Sequence, residues 1–309
     1  MGRQWLRAWE FSAGGVTCSG DLRVVFDIRS MTEYQPIAAT ISIYNLAPGT
    51  AKAILAAFGK KVDFAAGYQD NIGKIFSGDI KWVNLGKDNA TDTTTTVFAA
   101  AMDEPHNTAV VNKSFKAGST GLDHYNYLLS TMTGMKTGRI PTDDLKKLTY
   151  PRSVTMFGMA RHYMHSLAQS VGGVAHYDAT TPKLHITKPD DKGVGTPLKV
   201  NRSTGMIGLP TQTPRGINVR VLLNPQIKIN SLIHLDAHSI QGFTPDLTRE
   251  GQVKIDNSLF QGGFDPAGIY RVVYIEHVGD SRGELWFMEL NCVAKSGSGT
   301  QSQLRSGTG

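Results

Sequence analysis

The chain has 309 residues, of which 40% are hydrophobic and 19% are charged, a composition typical of a globular rather than a disordered protein. Its net charge is +6, from 32 lysine and arginine residues against 26 aspartate and glutamate residues, and the basic residues are scattered among acidic ones. A dedicated nucleic-acid binder usually concentrates positive charge on one face, so this composition argues against that class. The length indicates about two domains.

The two cysteines and the start of the chain give no sign of export. Cys18 and Cys292 lie in apolar, strand-like runs and outside any CxxC or cysteine/histidine spacing, so we expect two buried, reduced thiols. The N-terminal sequence MGRQWLRAWEF lacks the apolar run of a signal peptide. No stretch approaches the ~20 apolar residues of a membrane-spanning helix. The sequence therefore predicts a soluble protein with no membrane span.

The first section, about residues 20–103, is predicted to consist mostly of strands. Residues 37–46 (IAATISIYNL) alternate apolar and polar side chains, which is the period of two of a half-buried strand. Between Pro48 and Gly59 lies a short helical pattern, because helices favour proline near their start and glycine just after their end. Further strands are predicted at residues 22–29, 61–68, 74–83 and 93–102.

The middle section, about residues 104–195, changes character and is predicted to be a small α/β module. Apolar residues recur at helical spacing around residues 121–133 and again around 158–171. Two short strand patterns, VAHYD and KLHIT, follow Gly172 and are joined by a Thr-Thr-Pro turn.

The last section, about residues 196–295, returns to strand patterns, of which GINVRVLL, SLIHLDAH, GIYRVVYIEHV and GELWFMELNCVA are the clearest. The Asp-Ser-Arg-Gly sequence at 280–283 predicts a hairpin turn between the last two. Residues 296–309 have the composition of a flexible tail. The hairpin pattern beginning at Gly73 resembles the one beginning at Gly268, so a duplicated β region is left open.

The histidines do not form a recognisable metal site. His162 and His165 lie three apart on a predicted helix, whereas a zinc protease needs His-Glu-x-x-His, so a polar helix face is favoured. The other histidines on strands have no acidic or cysteine partner at ligand spacing. They include His176, His185, His234, His238 and His277. We predict no metal ligands and no cofactor-binding residues.

Catalytic motifs are also missing from the sequence. There is no G-x-S-x-G elbow, no Walker loop and no G-x-G-x-x-G between a strand and a helix. Four carboxylates could supply a lysozyme-like pair, but nothing in the sequence ties any two together. They are Glu33, Asp79, Glu276 and Asp280. We therefore predict no catalytic residues and a protein that is not an enzyme, and we interpret Trp82 and Trp286 as core or interface anchors.

Two stretches of the sequence resemble the phage tail hub proteins. The first is IAATISIYNLAPGTAKAI followed by KVDFAAGYQDNIGKIFSGDI. In that family an Ile-Tyr-Asn-Leu strand end leads to a short helix, an Ala-Gly-Tyr turn and a Phe-x-Gly-x-Ile strand. The second covers MIGLPTQTPRGINVRVLLNP (206–225) and the closing hairpin YRVVYIEHVGDSRGELWFMELNCVA (270–294). The motif positions, interpreted as structural or interface residues, are Ile43, Tyr44, Asn45, Leu46, Gly67, Tyr68, Phe76, Gly78, Tyr270, Gly279, Asp280, Gly283 and Trp286.

The resemblance implies a mainly β fold with a small α/β insertion and two tail-tube-like β-barrel domains in one chain. The implied domains are a tube-like domain at 1–103, an insertion at 104–195, a second tube-like domain at 196–295 and a flexible tail at 296–309. It also implies that three copies form a pseudo-sixfold ring in the virion, at the tail tip or baseplate, assembled in the host cytoplasm.

The implied partners are further copies of the chain in a homotrimer, a tail tube or distal tail protein above and a central spike below. Tape-measure protein and baseplate wedge components are additional candidates, and DNA would pass through the channel without specific binding. Long strands suit such a ring because an exposed sheet edge is a template for another chain. Two alternatives stay open: a tail-associated cell-wall hydrolase, and a sixfold tail-tube or secretion-tube protein, although tube proteins usually have a single β domain.

Overall fold

The computed structural model describes residues 6–213, 216–235 and 268–294. Strands dominate its regular structure and its helices have at most 11 residues, so the predicted mainly β class is confirmed. The chain divides into two compact units, each described here by itself. The N-terminal unit comprises residues 9–65 and 74–189, and the C-terminal unit comprises residues 1–8, 66–73 and 190–309.

The four-part division of the chain into domains stays a prediction. The N-terminal unit includes most of the predicted insertion as well as most of the first β section. The predicted tail at 296–309 lies outside the described residues.

Seven strands occupy the first third of the chain, and three of them extend into residues that belong to the C-terminal unit. They are β1 (Arg7–Ala13), β2 (Val16–Ser19), β3 (Val24–Met31), β4 (Ile37–Tyr44), β5 (Lys61–Tyr68), β6 (Asn71–Lys87) and β7 (Thr93–Ala101). Their spatial order is β3-β4-β7-β6-β5-β1-β2. The pairs β3–β4, β6–β7 and β1–β2 join strands that are neighbours in the sequence, β4–β7 joins strands that are not, and all four pairs are antiparallel.

Alternating burial builds the core of this sheet. In β4, Ile37, Ala39, Ile41 and Ile43 are buried while the residues between them are partly or fully exposed, as the period of two predicts. The helix α1 (Pro48–Leu55) follows and buries Ile54, which confirms the predicted helix after this strand.

The remainder of the N-terminal unit is a small α/β module. Its elements are α2 (Asp103–Thr108), β8 (Val110–Phe115), α3 (Gly121–Thr131), β9 (Lys136–Thr137), α4 (Thr142–Lys147), β10 (Val154–Met159), α5 (Ala160–Ser170), β11 (Val174–Tyr177) and β12 (Lys183–Thr187). Strands β8 and β10 form an antiparallel ribbon, and β11, β12 and β9 form a three-stranded sheet. Helices α3 and α5 and strands β11 and β12 confirm the elements predicted for this section.

Helix α3 begins at a capping box. The Thr120 hydroxyl accepts a hydrogen bond from the Asp123 N–H, and the Asp123 carboxylate accepts one from the Thr120 N–H. Two donors that would otherwise lack partners at the helix start are satisfied in this way. The helix then buries Tyr125 and Leu128 at the spacing that the sequence predicts.

The C-terminal unit is a second set of strands. They are β13 (Val194–Lys199), β14 (Met206–Thr213), β15 (Gly216–Leu222), β16 (Ser231–His234), β17 (Ile269–Asp280) and β18 (Trp286–Ala294). Their order is β14-β15-β18-β17-β16-β13. The antiparallel pair β17–β18 confirms the predicted closing hairpin. The predicted strand SLIHLDAH begins as β16, but its continuation beyond Leu235, with His238, lies outside the described residues.

Burial in β18 alternates along its whole length, with Trp286, Met288, Leu290, Cys292 and Ala294 all turned inward. Cys292 and Cys18 are each buried and free, as predicted from their apolar surroundings. Burial raises the pKa of both thiols, which keeps them protonated and unreactive at neutral pH.

Closure into barrels is not confirmed. Among the described strands, the pairing order within each unit is open rather than circular, so the two predicted barrels and the duplication stay predictions. In the described part of the chain, every helix is too short or too polar to cross a membrane.

We expect Gly78→Ala to destabilise the N-terminal unit by about 1–3 kcal/mol, the range for overpacking. A β-carbon at Gly78 would lie 2.7 Å from the Ala100 carbonyl oxygen and 2.6 Å from the ring of the buried Phe76. The matched control in the same strand is Gly86→Ala, whose β-carbon meets nothing nearer than the Thr94 hydroxyl at 3.4 Å. Urea unfolding of both variants measures the difference, and equal stabilities would contradict the prediction.

Candidate functional site

Within the C-terminal unit, the structure brings together motif positions that are far apart in the sequence. The tip of the β5–β6 hairpin (residues 66–73), the β17–β18 turn and the start of β1 meet there. We call the following residues the turn cluster: Arg7, Gly67, Tyr68, Asp280, Gly283 and Trp286.

Trp286 is the centre of the turn cluster. Its side chain is 2% exposed, and its indole N–H donates a 3.0 Å hydrogen bond to the Gly67 carbonyl, 219 residues away in the sequence. A buried tryptophan needs such an acceptor for its single polar group. Gly67 has no room for a side chain, because a β-carbon there would lie 2.1 Å from the Asn71 carbonyl oxygen.

Arg7 joins the N-terminal strand to the closing hairpin. Its guanidinium donates a 2.6 Å hydrogen bond to the Asp280 carbonyl and a second bond to the Gly283 carbonyl. The same group lies 5.6 Å from the centroid of the Trp286 ring. One planar, multi-donor cation thus satisfies two turn carbonyls and contacts an aromatic face, which lysine cannot reproduce.

The Asp280 side chain shapes the closing turn. Its carboxylate accepts a hydrogen bond from the Arg282 N–H at 3.0 Å, as expected for an aspartate at the start of a turn. A β-carbon at Gly283 would lie 2.4 Å from this carboxylate, so glycine is required. Beside the turn, Tyr68 is 4% exposed and burial raises its pKa, against the opposing effect of the Arg7 charge.

A separate group of motif residues closes the end of β4 in the N-terminal unit. Asn45 has a positive φ of 55°, and its side-chain amide donates to Asp92 while its oxygen accepts from the Thr93 N–H, each at 2.9 Å. Asparagine tolerates this left-handed conformation better than most residues. The guanidinium of Arg23 lies 4.5 Å from the centroid of the neighbouring Tyr44 ring.

The other motif positions lie in the cores of their units. Six of them have at most 9% of their surface exposed or, for glycine, no space for a side chain. They are Ile43, Leu46, Phe76, Gly78, Tyr270 and Gly279. They determine the fold of each unit; a role in subunit contacts stays a prediction.

Rings from the β3–β4 loop and from the α/β module pack together in the N-terminal unit: Tyr177 is buried, and Tyr34 and His106 are half-buried. The His106 imidazole Nδ1 lies 2.9 Å from the Tyr177 hydroxyl, and Tyr34 packs edge-on against His106 with centroids 5.1 Å apart. Burial raises the pKa of Tyr34 to about 12 and also raises that of Tyr177. Burial lowers the pKa of His106, so these rings are uncharged at neutral pH.

Two further histidines of the module, the buried His124 and the half-buried His185, are also uncharged at neutral pH. The His124 ring lies between Phe115 and Tyr150, with centroids 4.2 and 4.3 Å away. His185 stacks on His176, with centroids 5.2 Å apart. Burial lowers the pKa of both His124 and His185.

The described residues contain no group of three or more histidine, cysteine, aspartate or glutamate side chains placed to hold a metal ion. His165 instead stacks on Tyr34, with ring centroids 6.5 Å apart, and His162 lies exposed on the same helix.

The four carboxylates of the hydrolase alternative each have a local contact. Asp79 pairs with Lys61 at 2.8 Å, Glu33 accepts from the Gln35 amide, Glu276 accepts from the Tyr274 hydroxyl, and Asp280 accepts from its own turn. These contacts give each carboxylate a structural role.

Residues 10–239 match the model of the family described as Baseplate hub gp41. The chain belongs to this baseplate hub family. The match spans most of the chain, so membership in a family of phage tail components, predicted from the strand-end and hairpin motifs, is confirmed. The comparison with curated proteins gave no match.

Solved structures of tail proteins share the fold. The 43 kDa tail protein of prophage MuSo2 from Shewanella oneidensis has a TM-score of 0.60 at 11% identity, over 94% of this chain and 98% of that one. A tail protein from Neisseria meningitidis has a TM-score of 0.57 at 10% identity, over 94% and 97%. A type VI secretion component from E. coli, the c3393 protein, described as similar to the T4 tail proteins gp27 and gp5, has a TM-score of 0.54 at 12% identity, over 93% and 77%.

Sequence reasoning missed two parts of the site. Arg7 was not singled out, and β1 was not predicted, although Trp9, Phe11 and Ala13 alternate with exposed or half-buried residues as in any half-buried strand. The alternation could have revealed the strand. The contact of Arg7 with the closing turn could not have been found, because it depends on strand pairing across the whole chain.

We expect Trp286→Phe to destabilise the C-terminal unit by about 1–3 kcal/mol, because the Gly67 carbonyl would stay buried without its donor. The matched control is Trp82→Phe, since Trp82 is 64% exposed. Thermal unfolding of the purified chain followed by tryptophan fluorescence and circular dichroism measures both. A control variant as unstable as Trp286→Phe would contradict the role assigned to this hydrogen bond.

We expect the α/β module to lose stability as the pH falls below about 6.5, the ordinary pKa of histidine. The folded pKa values of His106, His124 and His185 lie below that value, so the unfolded state binds protons first on acidification. The stabilising effect is complete above pH 6.5 and is lost as the pH falls through the folded values.

Unfolding free energies measured between pH 8 and pH 5 check this dependence. His124→Phe should reduce the slope, because phenylalanine can occupy the space between Phe115 and Tyr150 without titrating. Ser153→Ala is the control, since Ser153 is exposed, lies in the same module and does not titrate, and it should leave the slope unchanged. A slope that is the same in all three proteins would contradict the prediction.

Proposed function

We propose that this protein is a structural hub subunit, three copies of which form a pseudo-sixfold ring at the tail tip. The ring joins the tail tube or distal tail protein to a central spike, and DNA passes through its channel. The observation that carries the proposal is the match to the baseplate hub family over residues 10–239, together with two compact units that are rich in strands. Two β units in each of three copies would present six around one axis.

Strand edges support assembly into a ring. Among the described strands, β2 ends the pairing order in the N-terminal unit and β14 ends it in the C-terminal unit. An unpaired edge presents backbone N–H and C=O groups that favour pairing with another chain. Threefold cyclic symmetry uses a head-to-tail interface, so each copy must offer two different surfaces.

Exposed aromatic side chains on the sheet of β4, β7 and β6 also support a subunit contact, and we call this exposed face of the sheet the outer face. Trp82 on β6 lies directly opposite Phe98 on β7, and the two are 64% and 40% exposed. Thr40 on β4 continues the same row next to Phe98. The next residue of the row, Asp27 on β3, is ion-paired with Arg29, so the apolar part of this face is the Trp82–Phe98 pair. Exposed aromatic pairs of this kind are typical of surfaces that become buried in an assembly.

The hub proposal expects a trimer from the purified chain at high concentration, or on addition of its spike or tube partner. Light scattering gives the mass, and negative-stain imaging gives the symmetry and the open channel. A stable sixfold ring or an extended tube would contradict the hub proposal and favour a tube protein. A chain that stays monomeric with both partners present would also contradict it.

A charge on the outer face should weaken this assembly. Trp82→Glu should shift the dissociation constant of the trimer upward by tenfold or more, because burying an unpaired carboxylate is costly. Phe58→Glu is the matched control, since Phe58 is equally exposed at 64% but lies in the turn after α1 and not on a strand of the sheet face. Equal effects of the two variants would remove the outer face from the proposed interface.

A further inference from the structure

The two-stranded ribbon β8–β10 has two different faces. On one face, Val111 and Met156 are buried, and Phe115 packs against the rings of His124 and Tyr127 on α3. The opposite face is exposed and uncharged, and it is built from three directly paired couples. They are Val110 with Met159, Asn112 with Phe157, and Ser114 with Thr155. Phe157, at 74%, is the most exposed large apolar side chain of the described residues.

At the paired residues Asn112 and Phe157, tyrosine hydroxyl groups form hydrogen bonds to backbone groups on both edges of the ribbon. The Tyr163 hydroxyl on α5 accepts from the Phe157 N–H at 3.0 Å and donates to the Phe157 carbonyl at 3.1 Å. The Tyr127 hydroxyl on α3 donates to the Asn112 carbonyl at 3.5 Å. The outward backbone groups of Phe157 therefore already have partners, and another strand cannot add at this point without displacing Tyr163.

The backbone of Phe157 is held in place although its side chain is exposed to solvent. One hydroxyl holds both of its backbone groups, and the next residue, Gly158, has a φ of 133°, a conformation that L side chains rarely adopt. A β-carbon on Gly158 would meet nothing within 4 Å, so the glycine serves the backbone conformation rather than close packing. An exposed aromatic residue whose backbone is already held loses less freedom on binding than one in a mobile loop, which favours a role as an interface anchor.

Basic residues flank one end of the ribbon. Residues 104–189 contain ten lysine and arginine residues against five aspartate and glutamate residues, so they carry +5 of the net charge of +6. Lys116 directly follows β8 and Arg152 lies two residues before β10, and both side chains are exposed. Neither forms a salt bridge within the described part of the chain, although the Lys116 charge contributes to lowering the pKa of Asp123.

Lys113 belongs to the other face of the ribbon. It pairs with Met156 in the register, and its ammonium lies 5.9 Å from the centroid of the Tyr127 ring on α3.

We propose that the exposed face of the β8–β10 ribbon docks a second tail protein whose surface offers an apolar pocket rimmed by carboxylates. Phe157, flanked by Val110 and Met159, fills the pocket, and Lys116 and Arg152, exposed together at one end of the ribbon, face the acidic rim. A second copy of the ribbon would bring like charges together, and a phosphate backbone offers no pocket for Phe157. This contact is separate from the ring proposed above and does not depend on it.

Site-specific photo-crosslinking in assembled tails tests the proposal. The full chain carries p-benzoylphenylalanine in place of Phe157, which keeps an aromatic side chain there, and the cross-linked peptides are identified by mass spectrometry. Phe58 replaced in the same way is the control, because it is similarly exposed but lies outside the ribbon. We expect position 157 to cross-link to one different protein, at a peptide containing aspartate or glutamate, in at least tenfold higher yield than position 58.

Charge reversal provides an independent readout. Lys116→Glu combined with Arg152→Glu should lower the cross-link yield at position 157 at least fivefold. Lys60→Glu with Lys87→Glu, both exposed and outside the ribbon, should leave the yield unchanged. Cross-links from position 157 to another copy of the chain, to DNA alone or to no partner would overturn the proposal. A yield unaffected by Lys116→Glu with Arg152→Glu would overturn the acidic rim. If the trimer forms normally but position 157 gives no cross-link to a different protein, the contact proposed here is refuted and the trimeric ring proposal is unaffected.

Discussion

The hydrogen bond from the Trp286 indole to the Gly67 carbonyl is the contact on which the C-terminal unit depends. It connects the tip of the β5–β6 hairpin to the last hairpin of the chain, 219 residues later. Arg7 packs against the same tryptophan and binds the turn beside it. Three distant segments therefore share one buried point, and this explains why residues 66–73 are compact with the C-terminal strands rather than with the rest of their own hairpin.

The sequence predicted the strands well because their signal is local. In β4 and β18 every second side chain is apolar, and burial follows that pattern without exception. The α/β module was found for the same reason, since the helical spacing of Tyr125 and Leu128 is visible in any short window. The short ribbon β8–β10 was missed because each strand has six residues and mixes polar with apolar side chains on both faces.

The candidate site was less predictable than the fold. The motif glycines and Trp286 were identified, but their meeting at one place was not, because it requires the order of strands in space. A residue such as Arg7 gives no signal of its own, as an arginine near a chain start is usually a solvated charge. The family resemblance was recoverable because it resides in turns, where Asn45, Gly67 and Gly283 are fixed by backbone geometry.

Because most of the net charge lies in residues 104–189, the two parts of the chain would respond differently to the salt concentration around them. Outside residues 104–189 the chain has 22 basic and 21 acidic residues, so a partner of these residues would meet charges of both signs and almost no net charge. Dissolved ions shorten the reach of electrostatic attraction to about 8 Å at physiological ionic strength, but they barely affect buried apolar contacts. Buried apolar contacts of the chain would thus change little between the cell interior, dilute fresh water and brine. Electrostatic attraction between residues 104–189 and an acidic partner would strengthen in fresh water and weaken in brine.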